Sequence, residues 1–377
     1  MGLAGEQVEL REYTTLRLGG PARRFLTAAT EDEVAAAVAA ADERGEPVLV
    51  LGGGSNLVVS DEGFPGTVIR MATRGIRVTM GAGKPAARLT VAAGEDWDHV
   101  VATCVSNGLA GLECLSGIPG RAGATPVQNV GAYGQEVAET ITRVRGYDRD
   151  RREIVELSGA DCGFGYRTSA FKRQAQAAAA TGGAAAATGR FVVLTVTFQL
   201  TRSELSGSVR YGELARTLGI GEGDRAPLAY VRAAVLGLRR GKGMVLDPAD
   251  PDTRSAGSFF INPVLDEAQF AALGQLVAGR GAGSRIPCYP APDGKVKVSA
   301  AWLIEQAGFR KGYPGNGTDG PRISAKHTLA LVNPGGATTA SLTGLAREVR
   351  NGVRRAFGVE LLPEPVLVGP GLALLSG

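Results

Sequence analysis

The sequence predicts an α+β protein of two or three domains, and three observations carry this prediction. The chain has 377 residues, and one domain commonly holds about 100 to 200 residues. Short runs that alternate apolar and polar residues, as strands do, occur beside longer runs with the period of amphipathic helices. A glycine loop near the N-terminus separates two apolar stretches, whereas a Rossmann glycine loop would begin a helix.

Capping and turn signals predict the first elements. Thr30 and Glu33 have the spacing of a capping box ahead of an alanine-rich helix, and the apolar residues 48–51 then predict a strand. After the glycine loop, residues 57–59 and 67–71 predict two further strands. The loop lacks both G-x-G-x-x-G spacing and a Gly-Lys-Ser/Thr ending, so a dinucleotide fingerprint and a Walker loop are disfavoured.

A long segment of small residues follows the next predicted helix, Asp96 to Ser106. In residues 115–134, glycine and alanine would let the backbone approach a ligand closely, and exposed N–H groups bind anions such as a pyrophosphate. A mobile surface loop is the alternative. Gln128 and Asn129 favour ligand binding, because they are polar side chains within an otherwise small, apolar run.

The rest of the chain also contains both the strand-like and the helix-like patterns of apolar residues. The segment 174–189 consists almost wholly of Ala, Gly, Gln and Thr, which predicts a tolerated insertion that is disordered or loosely helical. The remaining predictions are a hairpin over 141–157, strands over 191–200, 328–332 and 366–368, and amphipathic helices from Tyr230 and over 342–357.

Charge and the N-terminal composition limit the function classes. The 41 basic and 37 acidic residues give a net charge of +4, and the arginines are scattered rather than gathered into a stripe, which disfavours nucleic-acid binding. Residues 1–13 contain several charges and no long apolar run, so neither a signal peptide nor a membrane span is predicted. We therefore expect a cytoplasmic protein.

Cysteine and histidine usage limits the chemistry. Cys104, Cys114, Cys162 and Cys288 have no CxxC spacing and lie among apolar or small residues, which predicts buried free thiols in a reducing compartment. The chain has two histidines, far apart in sequence, so a multi-histidine metal site is excluded and no metal is expected.

Five motifs, in order along nearly the whole chain, resemble the UDP-N-acetylenolpyruvoylglucosamine reductase family. They are residues 52–56, 118–134, 165–172, 256–263 and 363–365. The resemblance implies a vanillyl-alcohol-oxidase-type FAD-binding domain of two α/β subdomains and a separate α+β substrate-binding domain. The implied divisions are an FAD-binding domain over 1–204 with subdomains of about 1–75 and 76–204, a substrate-binding domain over 205–357, and a C-terminal segment over 358–377 that returns to the active site.

The resemblance also implies the reaction and its catalytic residues. NADPH and non-covalently bound FAD would reduce UDP-N-acetylglucosamine enolpyruvate to UDP-N-acetylmuramate, in peptidoglycan precursor synthesis. Arg167 would stabilise the negative charge that develops on the carboxylate, since a guanidinium stays protonated and can hold a carboxylate through two hydrogen bonds. Ser258 matches the family's proton donor. Glu364 matches the C-terminal glutamate at the same carboxylate, either protonated or orienting Arg167.

Further residues match the family's binding positions. Tyr211 resembles the tyrosine whose loop closes over substrate in the longer of the family's two forms, and Lys242, Asn262 and His327 match contacts to the UDP-sugar or the nicotinamide nucleotide. For Lys242 a solvated charge stays an equal alternative, and for His327 an ordinary packed histidine does. We expect a monomer. The implied FAD contacts are Gly52, Gly53, Gly54, Ser55, Asn56, Ser116, Ile118, Pro119, Gly123, Ala124, Pro126, Asn129 and Gly131.

Two other classes of function remain as alternatives. An oxidase of the same flavin fold would pass electrons to oxygen, but many such enzymes link flavin to a histidine, and neither His99 nor His327 lies in the N-terminal glycine loop. A flavin- or nucleotide-binding module without catalysis would be favoured by the absence of Arg167, Ser258 or Glu364. All three residues are present within their motifs.

Overall fold

The computed structural model describes residues 8–81, 86–180, 188–279, 285–315 and 319–372. The chain divides into two compact units, here called unit 1 and unit 2. Unit 1 comprises Met1–Glu9, Pro21–Ser55 and Gly63–Leu246, and unit 2 comprises Leu10–Gly20, Asn56–Glu62 and Asp247–Gly377. The predicted boundaries at residues 204 and 357 do not coincide with these units, because residues 205–246 pack within unit 1.

Both units contain strands and helices. The strands are β1 Val8–Glu9, β2 Pro21–Ala28, β3 Val48–Leu51, β4 Leu57–Val59, β5 Phe64–Met71, β6 Ile76–Met80, β7 Ala86–Ala92, β8 Leu109–Ala110, β9 Gly131–Ala132, β10 Gln135–Glu136, β11 Ile141–Asp148, β12 Glu153–Ser158, β13 Phe191–Arg202, β14 Val264–Leu265, β15 Cys288–Pro290, β16 Val296–Val298, β17 Arg322–Ile323, β18 Leu331–Val332 and β19 Val366–Val368. The α-helices are α1 Glu31–Glu43, α2 Trp97–Ser106, α3 Thr125–Gln128, α4 Ala170–Ala180, α5 Gly212–Leu218, α6 Leu228–Gly241, α7 Glu267–Ala278, α8 Ala300–Gln306 and α9 Thr339–Phe357.

The first sheet of unit 1 has the strand order β1-β2-β5-β3, in which β2 and β3 run parallel to β5. Helix α1 begins where the capping box predicted it. The Thr30 hydroxyl accepts a hydrogen bond from the Glu33 N–H at 3.2 Å, and the Glu33 carboxylate accepts one from the Thr30 N–H at 3.3 Å. Strand β5 begins at Phe64, earlier than the predicted start at residue 67.

The second sheet of unit 1 is antiparallel, with the order β12-β11-β13-β7-β6 and β8 paired to β13. The predicted hairpin over 141–157 and the strand from Phe191 are confirmed. One side of this sheet packs on α2, whose Trp97 ring lies 5.8 Å from that of Phe198. This core also contains Val34 and Val38 of α1, so the same apolar cluster joins both sheets.

The low-complexity segment is helical over residues 174–180. Helix α4 covers its beginning, and residues 181–187 lie outside the described residues. At its end, the Thr188 hydroxyl accepts a hydrogen bond from the Val50 N–H at 2.8 Å, and Arg149 donates to the Thr188 carbonyl at 2.7 Å. The described end is therefore tied to the first sheet and to the hairpin turn.

Residues 205–246 belong to unit 1 because they share a small core with it. Val209, Leu214 and Val231 are buried in one cluster with Cys114. The Arg232 guanidinium also binds the Asp98 carboxylate of α2 through two hydrogen bonds of 2.6 and 2.8 Å. These contacts join residues that are 134 positions apart in sequence, which the order of the motifs does not report.

Unit 2 packs helices α7, α8 and α9 around one core with Phe259 and Phe260. Helix α9 confirms the predicted amphipathic helix, and β19 confirms the predicted strand over 366–368. Strand β19 pairs in parallel with β4. The predicted strand over 328–332 is too long. The Ala330 N–H donates to the His327 carbonyl at 3.1 Å, so residues 327–330 form a turn and only Leu331–Val332 is strand.

The burial of the cysteines and the length of the helices can be compared with two further predictions. Cys104, Cys114 and Cys162 are buried free thiols, as predicted, and burial raises the pKa of Cys104 and of Cys114 to about 12. Cys288 was predicted to be buried but is exposed, because all three residues of β15 are exposed. Among the helices of the described ranges, none is long and apolar enough to cross a membrane.

Candidate functional site

The glycine loop after β3 lies directly against the small-residue segment in unit 1. A Cβ atom on Gly53 would lie 2.7 Å from the Gly120 Cα atom, and the Ser55 hydroxyl donates to the Pro119 carbonyl at 2.9 Å. Gly120 has a φ of +128°, a backbone conformation that side chains disfavour. Two stretches of backbone thus approach more closely than any other residue type allows, and we call residues 52–55 and 118–123 the glycine cradle.

The second half of the glycine cradle is anchored to the neighbouring elements of unit 1. The Gly123 N–H donates to the Ala93 carbonyl at 2.9 Å, and the Trp97 N–H donates to the Gly120 carbonyl at 3.1 Å. A Cβ atom on Gly123 would lie 2.5 Å from the Ala93 Cβ atom. The segment therefore has a defined backbone path that depends on glycine at these positions.

Two polar residues with predicted cofactor roles have their side chains engaged within the chain. Asn129 is buried, and its amide donates to the Glu136 carboxylate at 2.8 Å and to the Gly165 carbonyl at 2.9 Å. The buried Ser116 hydroxyl donates to the Glu113 carbonyl at 2.7 Å. Both side chains hold the loop together, and a cofactor contact by either residue stays a prediction.

Arg167 lies beside this loop, in a tight turn of unit 1. Its φ is +51°, and the flanking residues Gly165 and Thr168 exchange backbone hydrogen bonds of 3.0 and 3.2 Å. The guanidinium donates to the Gly131 carbonyl at 2.8 Å, and the Lys172 ammonium donates to the Arg167 carbonyl at 3.2 Å. The structure thus brings the predicted catalytic arginine next to a predicted cofactor residue.

Four side chains of unit 1 form a chain of contacts, here called the Lys242 cluster: Glu213, Lys242, Tyr133 and Tyr211. The Lys242 ammonium lies 2.6 Å from the Glu213 carboxylate and 5.6 Å from the centre of the Tyr133 ring. The Tyr133 and Tyr211 rings meet edge to face, with centres 5.4 Å apart. The sequence assigned Tyr211 and Lys242 to a domain beginning at residue 205, whereas both pack in unit 1.

A buried arginine neighbours this cluster. Arg239 donates to the Met244 carbonyl at 2.8 Å, while its Nε atom is buried without a hydrogen-bond partner among the described residues. Burial lowers the pKa of Arg239 to about 10, against the opposing effect of Tyr133 and Asp98. Burial likewise raises the pKa of Tyr133 to about 12.

The sequence analysis missed Arg239, although a signal was present. Arg239 lies in the last turn of α6, three residues before Lys242. Residues three apart at a helix end lie on the same side of the helix. A predicted ligand contact at Lys242 therefore made Arg239 a second candidate.

In unit 2, the segment that contains Ser258 lies between two other segments. The Glu364 N–H donates to the Phe259 carbonyl at 2.9 Å, and the Phe259 N–H donates to the Leu329 carbonyl at 2.7 Å. Ser258 follows Gly257, whose φ of +75° turns the chain just before it. The structure thus brings the backbones of Ser258 and Glu364 together and holds both near the turn of His327.

The remaining predicted residues also lie in unit 2. Asn56 donates from its amide to the Glu364 carbonyl at 3.4 Å and so lies beside that segment. The Asn262 side chain accepts a hydrogen bond from the Ala300 N–H at 2.9 Å, at the start of α8. The His327 N–H donates to the Ser324 hydroxyl at 3.2 Å. Within the described ranges, no group of three His, Cys, Asp or Glu residues could hold a metal ion.

Two family models match the chain in separate regions. One is described as an FAD binding domain and matches residues 22–158. The other is described as the C-terminal domain of UDP-N-acetylenolpyruvoylglucosamine reductase and matches residues 248–368. The first region contains the glycine cradle, and the second contains Ser258 and Glu364.

Several known proteins are similar over nearly the whole chain. UDP-N-acetylenolpyruvoylglucosamine reductases of Thermobifida fusca and Streptomyces coelicolor are each 56% identical over 96% of this chain, covering 97% and 90% of the relatives. The crystal structure of the reductase from Thermus caldophilus is 26% identical, with a TM-score of 0.61 over 96% of this chain and 98% of that one. These matches confirm the predicted fold class of a vanillyl-alcohol-oxidase-type FAD-binding domain with a second α+β domain, and the chain belongs to the UDP-N-acetylenolpyruvoylglucosamine reductase family.

Proposed function

We propose that this chain reduces UDP-N-acetylglucosamine enolpyruvate to UDP-N-acetylmuramate, with NADPH as the reductant and FAD as the cofactor. The observation that carries the proposal is the position of Arg167, whose guanidinium is hydrogen-bonded at 2.8 Å to the carbonyl of Gly131. A fixed cation beside a glycine-rich segment suits a substrate that gains negative charge as it is reduced.

The glycine cradle fits an extended anionic cofactor such as FAD. The close approach of Gly53 and Gly120 leaves no room for a side chain, so the cradle can present backbone N–H groups to a pyrophosphate. The remaining proposed contacts are Gly52, Gly54, Ser55, Asn56, Ser116, Ile118, Pro119, Gly123, Ala124, Pro126, Asn129 and Gly131. When bound, FAD supplies a centre that accepts a hydride from NADPH and delivers one to the substrate.

Arg167 would bind the carboxylate of the enolpyruvyl group. A hydride added to the terminal methylene carbon pushes an electron pair towards this carboxylate, and the guanidinium stabilises the resulting negative charge. The turn of Gly165 to Thr168 and the hydrogen bond to Gly131 hold the guanidinium before the charge develops. Such preorganisation avoids rearrangement during the reaction.

One proton would complete the reduction. Ser258 is the proposed donor to the central carbon, and Glu364 is proposed to act on the same carboxylate as Arg167. The backbone hydrogen bond between Phe259 and Glu364 fixes the two residues in neighbouring segments, which supports a joint role. In sum, one hydride from NADPH and one proton convert the carbon–carbon double bond into a single bond.

The UDP-sugar would be held by Tyr211, Lys242, Asn262 and His327. Lys242 is suited to a diphosphate because an ammonium group on a flexible stem acts as a point charge for phosphate oxygens. Tyr211 lies at the start of α5, where its ring packs on Tyr133. We also propose that the protein acts in the cytoplasm as a monomer and without nucleic acid.

The experiment follows the flavin absorbance of the purified protein in a stopped-flow instrument, without oxygen. Bleaching by NADPH and recovery on adding UDP-N-acetylglucosamine enolpyruvate are expected. For Ser258→Ala we expect normal bleaching but recovery slowed on the order of a thousandfold, because the proton donor is lost. Recovery of the flavin absorbance that requires oxygen rather than the UDP-sugar would indicate an oxidase instead of the proposed reductase.

The matched control is Ser255→Ala, a serine in the same segment. Its hydroxyl accepts one hydrogen bond from the Gly257 N–H at 3.3 Å, and losing one neutral hydrogen bond slows the second step by about tenfold at most. If both variants slow the step equally, Ser258 has no role as a proton donor.

A further inference from the structure

The Lys242 cluster contains a carboxylate that the proposed function leaves unused. Glu213 lies in the first turn of α5, two residues after Tyr211, and its carboxylate is 2.6 Å from the Lys242 ammonium. The two side chains are 34% and 32% exposed. The pair is thus open to solvent, and a ligand could reach it.

The contacts around Lys242 connect this ion pair to Tyr211. The ammonium lies over the Tyr133 ring at 5.6 Å, and that ring packs against Tyr211 at 5.4 Å. Because Tyr211 and Glu213 belong to one short segment, the ion pair fastens that segment to the end of α6, and the ring contact fastens it to Tyr133. Removing Glu213 from Lys242 would leave the segment held by fewer contacts.

An anion that binds Lys242 must compete with Glu213. The competing carboxylate belongs to the same chain, so its effective concentration at the ammonium is high. A partly exposed ion pair is nevertheless weak, with a stabilising effect equivalent to about twofold to fivefold in an equilibrium constant. A ligand with a diphosphate can therefore displace Glu213, at the expense of part of its affinity.

We propose that Glu213 is a positioning residue that acts through Lys242 by competing with the diphosphate of the ligand. The diphosphate displaces Glu213 from Lys242 when the ligand binds. When the ligand leaves, Glu213 binds Lys242 again and holds the Tyr211 segment in place. This inference rests on the assignment of a UDP-sugar to Lys242. Substrate and product carry the same diphosphate, so the competition weakens both. The benefit is product release, since Glu213 takes the place of the departing diphosphate.

The test uses the FAD-loaded protein and measures the dissociation constants of UDP-N-acetylglucosamine enolpyruvate and UDP-N-acetylmuramate, without NADPH, from the change in flavin absorbance. Glu213→Gln is expected to tighten both about fivefold, because the competing charge is lost. In turnover, the same variant is expected to lower KM together with kcat. Damage to the fold would weaken binding, so tighter binding separates the two explanations.

Two further variants test the route through Lys242. Glu222→Gln removes an exposed carboxylate close to Gly212, in the same region of the chain, without touching Lys242, and we expect an unchanged affinity. In a Lys242→Gln background, Glu213→Gln should no longer tighten binding, as a double-mutant cycle requires for a direct interaction.

The possible outcomes separate this inference from the proposed function. If the unsubstituted protein neither binds nor reduces the UDP-sugar, the proposed function fails. If it does both, but Glu213→Gln binds no more tightly than Glu222→Gln, or still tightens binding without Lys242, the internal competition is refuted while the reductase stands.

Discussion

Replacing Gly53 by alanine tests whether close backbone approach shapes the glycine cradle. The new Cβ atom would lie 2.7 Å from the Gly120 Cα atom and 3.2 Å from its carbonyl carbon. Carbon atoms pack best at about 3.5–4.0 Å from one another, so the two backbone segments of the glycine cradle must separate by about 1 Å. Forcing an extra methyl group into a packed site costs about 1–3 kcal/mol.

This cost is expected to appear in the binding of FAD. If the separation is incompatible with the bound cofactor, then 1–3 kcal/mol corresponds to a loss of about 5- to 150-fold in affinity. The assay removes the flavin and titrates the apoprotein with FAD, following the quenching of flavin fluorescence. Gly237→Ala in α6 of unit 1 is the control, because this glycine is no proposed FAD contact and its Cβ atom would have nothing within 4 Å.

The comparison of the two variants decides the outcome. Thermal unfolding of each apoprotein first checks that the fold is retained. Equal FAD affinities for Gly53→Ala and Gly237→Ala would show that the approach of Gly53 to Gly120 has no part in holding the cofactor, and the cofactor site would have to be sought elsewhere in unit 1.

Two further predictions concern stability. Gly352→Ala would place a Cβ atom 2.2 Å from the Phe309 ring and should destabilise the protein by about 1–3 kcal/mol in urea unfolding. Gly344→Ala, in the same helix with nothing within 4 Å of its Cβ atom, should instead stabilise the protein by up to about 1 kcal/mol. A Gly352→Ala variant more stable than Gly344→Ala would contradict the packing of Gly352 on Phe309. Hydrogen bonds, foremost from Arg44, lower the pKa of Glu46 from 4.5 to about 2. Because this pKa is lower in the folded state, the stabilisation is complete above pH 4.5 and is lost as the pH falls towards 2. Glu46→Gln should remove that part of the pH dependence of Tm, and an unaltered profile would rule the carboxylate out as its source.

Local signals predicted the elements that depend on local physics. The capping box of Thr30, the hairpin over 141–157 and the amphipathic α9 all formed as expected. Strand β6 was not predicted because four of its five residues are exposed, so no apolar alternation marks it. The turn of His327 to Ala330 shortened the next predicted strand through a backbone hydrogen bond that side-chain patterns do not report.

Tertiary contacts explain the differences within the site. The motifs predicted roles for Arg167, Ser258 and Glu364, but they could not report that the side chain of Asn129 binds Glu136 and Gly165. Nor could they place residues 205–246, whose packing depends on partners such as Asp98 more than a hundred residues away. A motif identifies which residue types are present, whereas their hydrogen-bond partners depend on the folded chain.

The pairing of β4 with β19 has a consequence for how the protein is synthesised. Leu57–Val59 are synthesised long before their partners Val366–Val368, which lie far later along the chain. The Asp61 carboxylate likewise accepts hydrogen bonds from the N–H groups of Thr339 and Ala340 at the start of α9, which are synthesised much later. Contacts between residues so distant in sequence slow folding, and the edges of the strands stay unpaired until these contacts form. We therefore expect unit 2 to complete its fold only after β19 has been synthesised, and a fragment that starts at Asp247 to lack β4, with which β19 pairs.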